Sequence, residues 1–343
     1  MKQAKKWMML GVMMALLAWL VPSPALAYGW TPYGVCVALG ILAAVLLAMY
    51  LRRQEIRQIL AETGRSHECE AAAIGIIGRV DTLQLALCVV PAALCCARLS
   101  YCLIRFSFYF LEMGPASVLK IWEGGFLLYG AVLGALSAAV LLARHKRAAV
   151  AATLDELAAP GLVAVAIARL GEWTTGEGVG AWIESEALMR FPIAVMNEYE
   201  EWQLAVFLYE AAVALILLLP VLRECIGEGR RMETALLLFA CCQIVLESLR
   251  MDSCLKIGFV RVSQVASAML ILVVTLLRAR RHGGKPLMVR RFVYLLLCVA
   301  AVGGIEWALD KTPVSNVLLY LVMIMACILM MINATWFAKR ERE

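Results

Sequence analysis

The chain has 343 residues, of which 63% are hydrophobic and 17% are charged, and its formal net charge is +6. This hydrophobic share exceeds the roughly 45–50% typical of soluble domains, and apolar runs of bilayer length recur from end to end. The composition therefore excludes a soluble globular protein and predicts an all-α, polytopic membrane protein. The basic residues form short clusters between the apolar runs. That distribution indicates membrane orientation and no nucleic-acid partner.

The first element in chain order is residues 1–27, which begin with lysines and continue as an apolar run, Trp7–Leu20. The segment ends in Ala25-Leu26-Ala27, the small-x-small pattern of a signal peptidase site. Residues 1–27 are therefore predicted to be a signal peptide or a retained N-terminal anchor, and the pattern leaves both alternatives open.

Apolar segments with the length of a membrane span follow. They are predicted at roughly 31–51, 82–104, 125–143, 157–172, 203–222, 234–250, 258–277, 292–309 and 315–337, about nine in all. The basic stretch 278–291 is the best candidate boundary. We therefore predict a seven-span body at 28–280 and a two-span C-terminal extension at 281–343.

The loops between these spans alternate in charge. The segments 51–57, 143–147, 227–231, 278–291 and 338–343 are basic, whereas the long loop 172–202 is acidic. The positive-inside rule places the basic loops and the C-terminus in the cytoplasm, and the acidic loop outside.

Polar residues interrupt six of the predicted spans, always in the outer half. An intramembrane charge costs about 2.5–3.5 kcal/mol at the bilayer centre, so such groups usually face a bundle interior. Each one alone fits a helix-end residue or a structural ion pair, but together they favour a polar cavity at the level of the outer leaflet. Arg98, Arg169 and Arg250 could be balanced there by Glu210 and Glu247.

The chemistry of this predicted cavity favours a phosphate ligand. Arginine stays charged and donates bidentately to phosphate oxygens, so an anionic phospholipid headgroup fits, with a soluble sugar or an ion as alternatives. The three histidines fall in charged connecting segments, and most cysteines lie inside apolar runs. We therefore expect neither a metal site nor a cofactor.

The order of several motifs resembles the prolipoprotein diacylglyceryl transferase family. The resemblance covers most of residues 29–277 and begins with Tyr33-Gly34. It continues with "ARLSYCL" (97–103), "IWEGGFLLYGAVLGA" (121–135), "APGLVAVAIARLGEWTTGEGVG" (159–180), "LYE" (208–210), "QIVLESLR" (243–250) and Ser263-Gln264. The stretches at 121–135 and 243–250 are similar to the family's W-[DE]-GG…HGGLIG and R-x-x-x-E-x-x-R patterns.

The resemblance implies an activity and partners. The family transfers a diacylglyceryl group from phosphatidylglycerol to the thiol of a lipobox cysteine in prolipoprotein signal peptides, at the outer leaflet of the bacterial plasma membrane. By resemblance, Arg169 would hold the phosphate and Glu177 would support the site. Glu247 and Arg250 would shape the lipid pocket, with Tyr209 and Glu210 behind them.

This chain departs from the family pattern at the chemically important positions. Tyr129 stands at the family histidine, Gln243 at the first arginine of the sixth-span motif, and Glu172 at the signature asparagine, while Ala168 replaces a glycine. Tyrosine, with a pKa of about 10, is a poorer base than histidine at neutral pH, and Glu172 is a candidate replacement base. The catalytic candidates are Arg169, Tyr129, Glu172 and Glu177. The substrate-binding candidates are Arg98, Tyr101, Tyr209, Glu210, Gln243, Glu247, Arg250 and Gln264.

Three hypotheses remain open at this point. The first is a divergent diacylglyceryl transferase with an altered lipid or acceptor. The second is a catalytically degenerate membrane protein that binds phospholipid or signal peptide without turnover. The third, a transporter or channel, lacks support because the sequence has no broken-helix pair or inverted repeat. In the C-terminal extension, Glu306 and Asp310 could reach the level of the predicted cavity, but a short solvated loop is the expectation.

Overall fold

The computed structural model describes residues 2–20, 31–63, 79–121, 124–224, 229–251, 255–258, 260–282, 285–312 and 315–340. Within these ranges, nine helices are long and apolar enough to cross a membrane: Pro32–Gln58, Thr82–Ile104, Leu128–His145, Val150–Thr175, Val206–Arg223, Arg230–Leu249, Val262–Arg281, Met288–Lys311 and Asn316–Asn333. This confirms the predicted all-α, polytopic fold and the number of spans. The predicted cleavage pattern at 25–27 lies outside the described residues, as does Trp122-Glu123 of the family-like stretch.

The helices are α1 (Lys2–Leu20), α2 (Pro32–Thr63), α3 (Thr82–Ile104), α4 (Leu128–His145), α5 (Val150–Gly171), α6 (Val206–Ile216), α7 (Leu218–Arg223), α8 (Arg230–Leu249), α9 (Val262–His282), α10 (Lys285–Lys311) and α11 (Asn316–Arg340). The short strands are β1 (Ala194–Met196), β2 (Trp202–Leu204), β3 (Lys256–Ile257) and β4 (Val260–Arg261). A π-helical turn spans Ser107–Glu112, and 3-10 turns span Pro115–Leu119 and Glu172–Thr175.

The chain divides into two compact units. The first unit comprises Met1–Thr175 and Leu218–Met232, and the second comprises Gly176–Leu217 and Glu233–Glu343. The predicted extension at 281–343 therefore packs with the second unit, although the predicted domain boundaries themselves stay a prediction.

In the first unit, α3 pairs with α4, and α2 pairs with α5. The α3–α4 pair is close because α4 carries Gly130 and Gly134 one turn apart, the spacing that lets membrane helices approach each other. A Cβ atom on Gly130 would stand 2.6 Å from Ser100 Oγ and 2.8 Å from the Cys96 carbonyl. Any side chain at this position would therefore push the two helices apart.

Helix α1 packs on α2 and α3. Its Leu10 is buried in a cluster with Val45 and Leu83, and Lys6 Nζ lies 2.8 Å from Asp81 Oδ2. Asp81 also caps α3 by accepting from the Gln84 N–H. Burial acts to raise the pKa of the Asp81 carboxyl, but these hydrogen bonds and the charges of Lys6 and Arg52 outweigh it, so the pKa is lowered.

A polar cluster that the sequence reasoning missed lies at the opposite end of the first unit from the ends of α3 and α5 that carry the site candidates. Arg52, predicted to lie in a loop, lies in α2 and is 3.5 Å from Glu156 Oε2. Thr82 Oγ1 donates to Glu156 Oε1 at 2.5 Å. Asp155 caps the start of α8 by accepting from the N–H groups of Gly229 (3.0 Å) and Met232 (2.9 Å). These contacts tie α2, α3 and α5 to the segment that leads into α8.

The second unit contains a large apolar core and two small antiparallel sheets. Strand β1 pairs with β2, with Val195 opposite Gln203, and β3 pairs with β4. The core is a cluster of side chains from α8, α9, α10 and α11. Its buried members are Leu237, Ala240, Cys241, Ile244, Ile271, Val274, Leu295, Cys298, Val302, Ile305, Met323, Ala326, Cys327 and Met330. Both helices of the extension thus share one core with α8 and α9.

Candidate functional site

In the first unit, Arg169 and Glu172 form an ion pair at the end of α5. Arg169 lies in the last turn of the helix, and its Nη1 donates to Glu172 Oε1. Glu172 begins a 3-10 turn that two hydroxyls hold in place, because Thr174 and Thr175 donate to the carbonyls of Gly171 and Glu172, each at 2.8 Å. Glu172 is buried, and the Arg169 side chain is 13% exposed. The arginine assigned to phosphate is therefore oriented, and partly neutralised, by a residue that departs from the family pattern.

Arg98 is almost fully buried and holds the segment that follows α3. Its guanidinium donates to three backbone carbonyls, those of Val118 (3.2 Å), Ser117 (3.0 Å) and Gly124. It also lies over the Tyr109 ring, 4.9 Å from the centroid. These contacts give Arg98 a structural function in binding the loop to the helix, while its predicted substrate contact stays a prediction.

Tyr101 and Tyr129 lie at the two ends of this loop. Gly125 has φ +72°, and a Cβ there would come within 2.6 Å of Tyr101 Cε1 and 2.9 Å of Arg98 Nη1. Only glycine fits this backbone without strain. The loop is further tied to α3 because the Leu127 N–H donates to the Ala97 carbonyl at 3.1 Å. Tyr129 follows as the second residue of α4 and is partly buried.

In the second unit, Glu210 lies at the centre of a buried polar network. Its Oε1 accepts from Gln243 Nε2 at 2.7 Å, and its Oε2 accepts from Arg250 Nη1 at 3.2 Å. Gln243 Nε2 also donates to Glu247 Oε2 at 3.2 Å. All four side chains are at most 9% exposed. The predicted balance of Arg250 by Glu210 is thus present, and Gln243 bridges the two carboxylates as a neutral donor.

A second part of this network is built around Gln264. Its Oε1 accepts from the Arg261 N–H at 3.1 Å, and its Nε2 donates to the Ile244 carbonyl at 3.2 Å and to Glu306 Oε1 at 2.6 Å. The expectation that Glu306 belongs to a solvated loop was wrong, because Glu306 lies in α10 and is only 8% exposed. Asp310 is exposed as expected and lies 3.3 Å from Lys311.

The remaining candidates are Tyr209 and Glu177. The Tyr209 hydroxyl donates to the Ile193 carbonyl at 2.6 Å and so fastens α6 to the segment before β1. Glu177 is exposed in a loop beside Gly178, whose carbonyl accepts from the Phe207 N–H at 2.7 Å. The structure thus joins Arg169 to Glu172, brings Arg98 and Tyr101 onto the same Tyr109 ring, and joins Glu210, Gln243, Glu247 and Arg250. The convergence of all the candidates at one membrane level stays a prediction. In the described part of the chain, no three His, Cys, Asp or Glu side chains are arranged to hold a metal ion.

The family model of prolipoprotein diacylglyceryl transferase matches residues 29–280. Several relatives are named phosphatidylglycerol–prolipoprotein diacylglyceryl transferase. The one from Limosilactobacillus reuteri (strain DSM 20016) is 27% identical over 270 residues, which are 74% of this chain and 88% of the relative. The one from Clostridium novyi (strain NT) is 28% identical over 246 residues, with coverages of 70% and 87%. That from Listeria welshimeri is 29% identical over 247 residues, with coverages of 70% and 81%. The match of the family model to most of the chain shows that this protein belongs to the prolipoprotein diacylglyceryl transferase family.

Proposed function

We propose that this protein transfers the diacylglyceryl group of phosphatidylglycerol to the thiol of a lipobox cysteine in a prolipoprotein signal peptide. Its relatives carry the name of that activity. The observation that carries the proposal concerns Arg169, assigned by resemblance to the phosphate, and Arg250, assigned to the lipid pocket. Each is held by a carboxylate: Arg169 by Glu172 and Arg250 by Glu210. A guanidinium fixed in this way loses little further side-chain freedom when it receives a phosphate, although the carboxylate that fixes it also offsets part of its positive charge.

The proposed reaction exchanges one bond at the glycerol carbon. The acceptor thiol, with an ordinary pKa of about 8.5, gives up its proton before it attacks. A C–S bond then forms as the C–O bond to the phosphate breaks, and glycerol phosphate leaves with the electron pair. Arg169 stabilises the charge that develops on the departing phosphate.

The proton of the thiol needs an acceptor in this chain. The family histidine is replaced by Tyr129, and a neutral phenol is a weak base. Glu172 is the better candidate because a carboxylate accepts protons and this one is fixed beside Arg169. In this scheme Glu172 orients the phosphate-binding arginine and takes the proton, and Glu177 supports the loop.

We place the reaction at the outer leaflet of the bacterial plasma membrane, with the C-terminus in the cytoplasm. The alternation of basic and acidic loops supports this orientation. The exposed carboxylates of the long loop, among them Glu184, Glu186 and Glu198, also agree with an aqueous environment for that loop.

A second candidate function has specific support. Glu172 occupies part of the Arg169 guanidinium, and Gln243 provides no positive charge between Glu210 and Glu247. A site changed in this way would bind lipid or signal peptide and leave the C–O bond intact. Such a protein would be a catalytically degenerate member of the family.

The test follows glycerol phosphate release from phosphatidylglycerol by the purified protein in the presence of a lipobox peptide. Arg169→Ala should abolish turnover. Arg144→Ala is the matched control, because Arg144 is exposed in the last turn of α4, and it should turn over like the wild type. Phosphatidylglycerol binding without turnover in the wild type would establish the degenerate function. If the wild type neither binds phosphatidylglycerol nor turns it over, both candidate functions are rejected.

A further inference from the structure

Glu306 is a buried carboxylate outside the part of the chain that the family model matches. It lies in α10, and the match ends at residue 280. Its Oε1 accepts from Gln264 Nε2 at 2.6 Å, and the two residues are 8% and 3% exposed. If either partner were removed, the other would keep a buried polar atom without this hydrogen bond, which is costly.

This contact fixes the orientation of the Gln264 amide. The Nε2 group has two N–H donors, and the Ile244 carbonyl and Glu306 take one each. The amide oxygen is thereby directed to the Arg261 N–H at 3.1 Å. Without Glu306, one buried N–H would lack its acceptor, and only the contacts with Ile244 and Arg261 would still oppose rotation of the amide.

Gln264 connects in turn to the arginine of the predicted lipid pocket. Its partner Arg261 donates from Nη2 to the Arg250 carbonyl. The Arg250 guanidinium then donates to Glu210 at 3.2 Å. The contacts from Glu306 to Arg250 are therefore continuous through Gln264 and Arg261.

We propose that Glu306 is a positioning residue of the donor-lipid site, so that the C-terminal extension contributes to phosphatidylglycerol binding. It acts through Gln264 and Arg261 on the placement of Arg250. The inference rests on the proposed function in one respect, namely that phosphatidylglycerol is the lipid bound.

Attachment of the extension does not require Glu306. The apolar core joins α10 and α11 to α8 and α9, and the Tyr320 hydroxyl of α11 donates to the Ser248 carbonyl at 3.3 Å. Loss of the Glu306 contact should therefore alter the site while the extension remains packed.

The experiment is a double-mutant cycle with Glu306→Ala and Gln264→Ala in the full-length protein, measuring the affinity for phosphatidylglycerol in nanodiscs and, where turnover occurs, KM and kcat. We expect Glu306→Ala to weaken binding about tenfold, because a buried hydrogen bond that orients Gln264 is lost. Glu306→Gln keeps an acceptor at the same reach and should restore binding. In the Gln264→Ala background, Glu306→Ala should have little further effect, because coupled residues are not additive.

Two controls separate positioning from general destabilisation. Met330→Ala removes a fully buried side chain from the same core, so it should lower thermal stability and leave lipid affinity unchanged. Asp310→Asn changes an exposed carboxylate of α10, the helix that carries Glu306, and should alter neither thermal stability nor lipid affinity. Any of three results would overturn the inference. They are an unaltered lipid affinity in Glu306→Ala, additive effects of the two substitutions in the cycle, and a loss of lipid affinity in Met330→Ala equal to that in Glu306→Ala. Because affinity is measured directly, absence of turnover would count against the proposed reaction alone.

Discussion

Glu172 lies three residues beyond Arg169 and accepts a hydrogen bond from the guanidinium that the family resemblance assigns to phosphate. The two residues lie at the junction of α5 with a 3-10 turn, where Glu172 is 5% exposed. A phosphate that approaches Arg169 therefore meets a carboxylate held in the same place. The departure from the family pattern at Glu172 thus adds a negative charge beside the arginine that is assigned to phosphate.

Removal of this carboxylate should separate binding from chemistry. Glu172→Asn restores the family residue and removes the negative charge beside Arg169, so KM for phosphatidylglycerol should fall about threefold or more. If Glu172 is the base, kcat should fall in the same variant. Glu186→Asn changes an exposed carboxylate and is the control. A KM that rises in Glu172→Asn would contradict the charge argument.

Restoration of the family histidine should change the pH dependence of turnover. Tyr129→His introduces a group with a pKa near 6.5, which accepts protons at neutral pH where a phenol does not. We expect kcat to increase at pH 7 and the pH–rate profile to gain an inflection near that value. Tyr199→His, at a position that is 81% exposed, should leave the profile unchanged. An unchanged profile in Tyr129→His would show that this position takes no part in proton transfer.

The Gln243 amide should be necessary for stability. In Gln243→Leu, Glu210 and Glu247 lose the donor they share, and the loss should cost about 2–4 kcal/mol because buried carboxylates are left with fewer partners. Thermal unfolding in detergent measures this loss. Gln243→Arg supplies both donors and charge, so it should retain stability and bind anionic lipid more tightly. Equal melting temperatures for wild type and Gln243→Leu would contradict this account.

Arg98 should be irreplaceable by lysine. Its planar guanidinium reaches three carbonyls at once, whereas an ammonium group is a single point of contact. Arg98→Lys should therefore increase amide exchange in residues 107–121, measured by mass spectrometry. Arg105→Lys is the matched control, since the Arg105 side chain is exposed and lies over the Tyr101 ring, 5.7 Å from its centroid. If amide exchange in residues 107–121 were equal in the two variants, Arg98 would have no structural function in holding this loop.

The ion pair between Lys6 and Asp81 distinguishes a retained anchor from a cleaved signal peptide. The lowered pKa of Asp81 means that the pair stabilises the fold above its ordinary value of 3.8 and loses this effect as the pH falls through the lowered pKa. With α1 retained, Lys6→Met should lower thermal stability at pH 7, and this effect should shrink as the pH falls below 3.8 and through the lowered pKa of Asp81. Lys5→Met, at an exposed lysine, is the control. Cleavage after Ala27 would make Lys6→Met silent at every pH.

Hydropathy predicted the spans because the length of an apolar run directly reflects bilayer thickness. Depth along each helix predicted that Glu210 and Glu247 balance the arginines as a set, and the structure pairs Glu210 with Arg250. Depth did not predict Glu172 as the partner of Arg169. The depth of a residue in the bilayer does not show which side of its helix the residue faces, however. The hydrogen bond between Gln264 and Glu306 could therefore not be predicted. The contacts of Arg98 were equally inaccessible, because their acceptors are backbone carbonyls that any sequence carries. Glu306 did leave one signal, a lone carboxylate within the apolar run of the eighth span.

The core of the second unit contains a native chemical reporter. Cys241, Cys298 and Cys327 are 0%, 8% and 2% exposed where α8 meets the two C-terminal helices. Thiols buried in this way react with a membrane-permeant maleimide only when the surrounding helices separate. The rate of their modification therefore measures how often the extension opens, without any engineered label. Lipid binding that stabilises this packed core should slow the reaction.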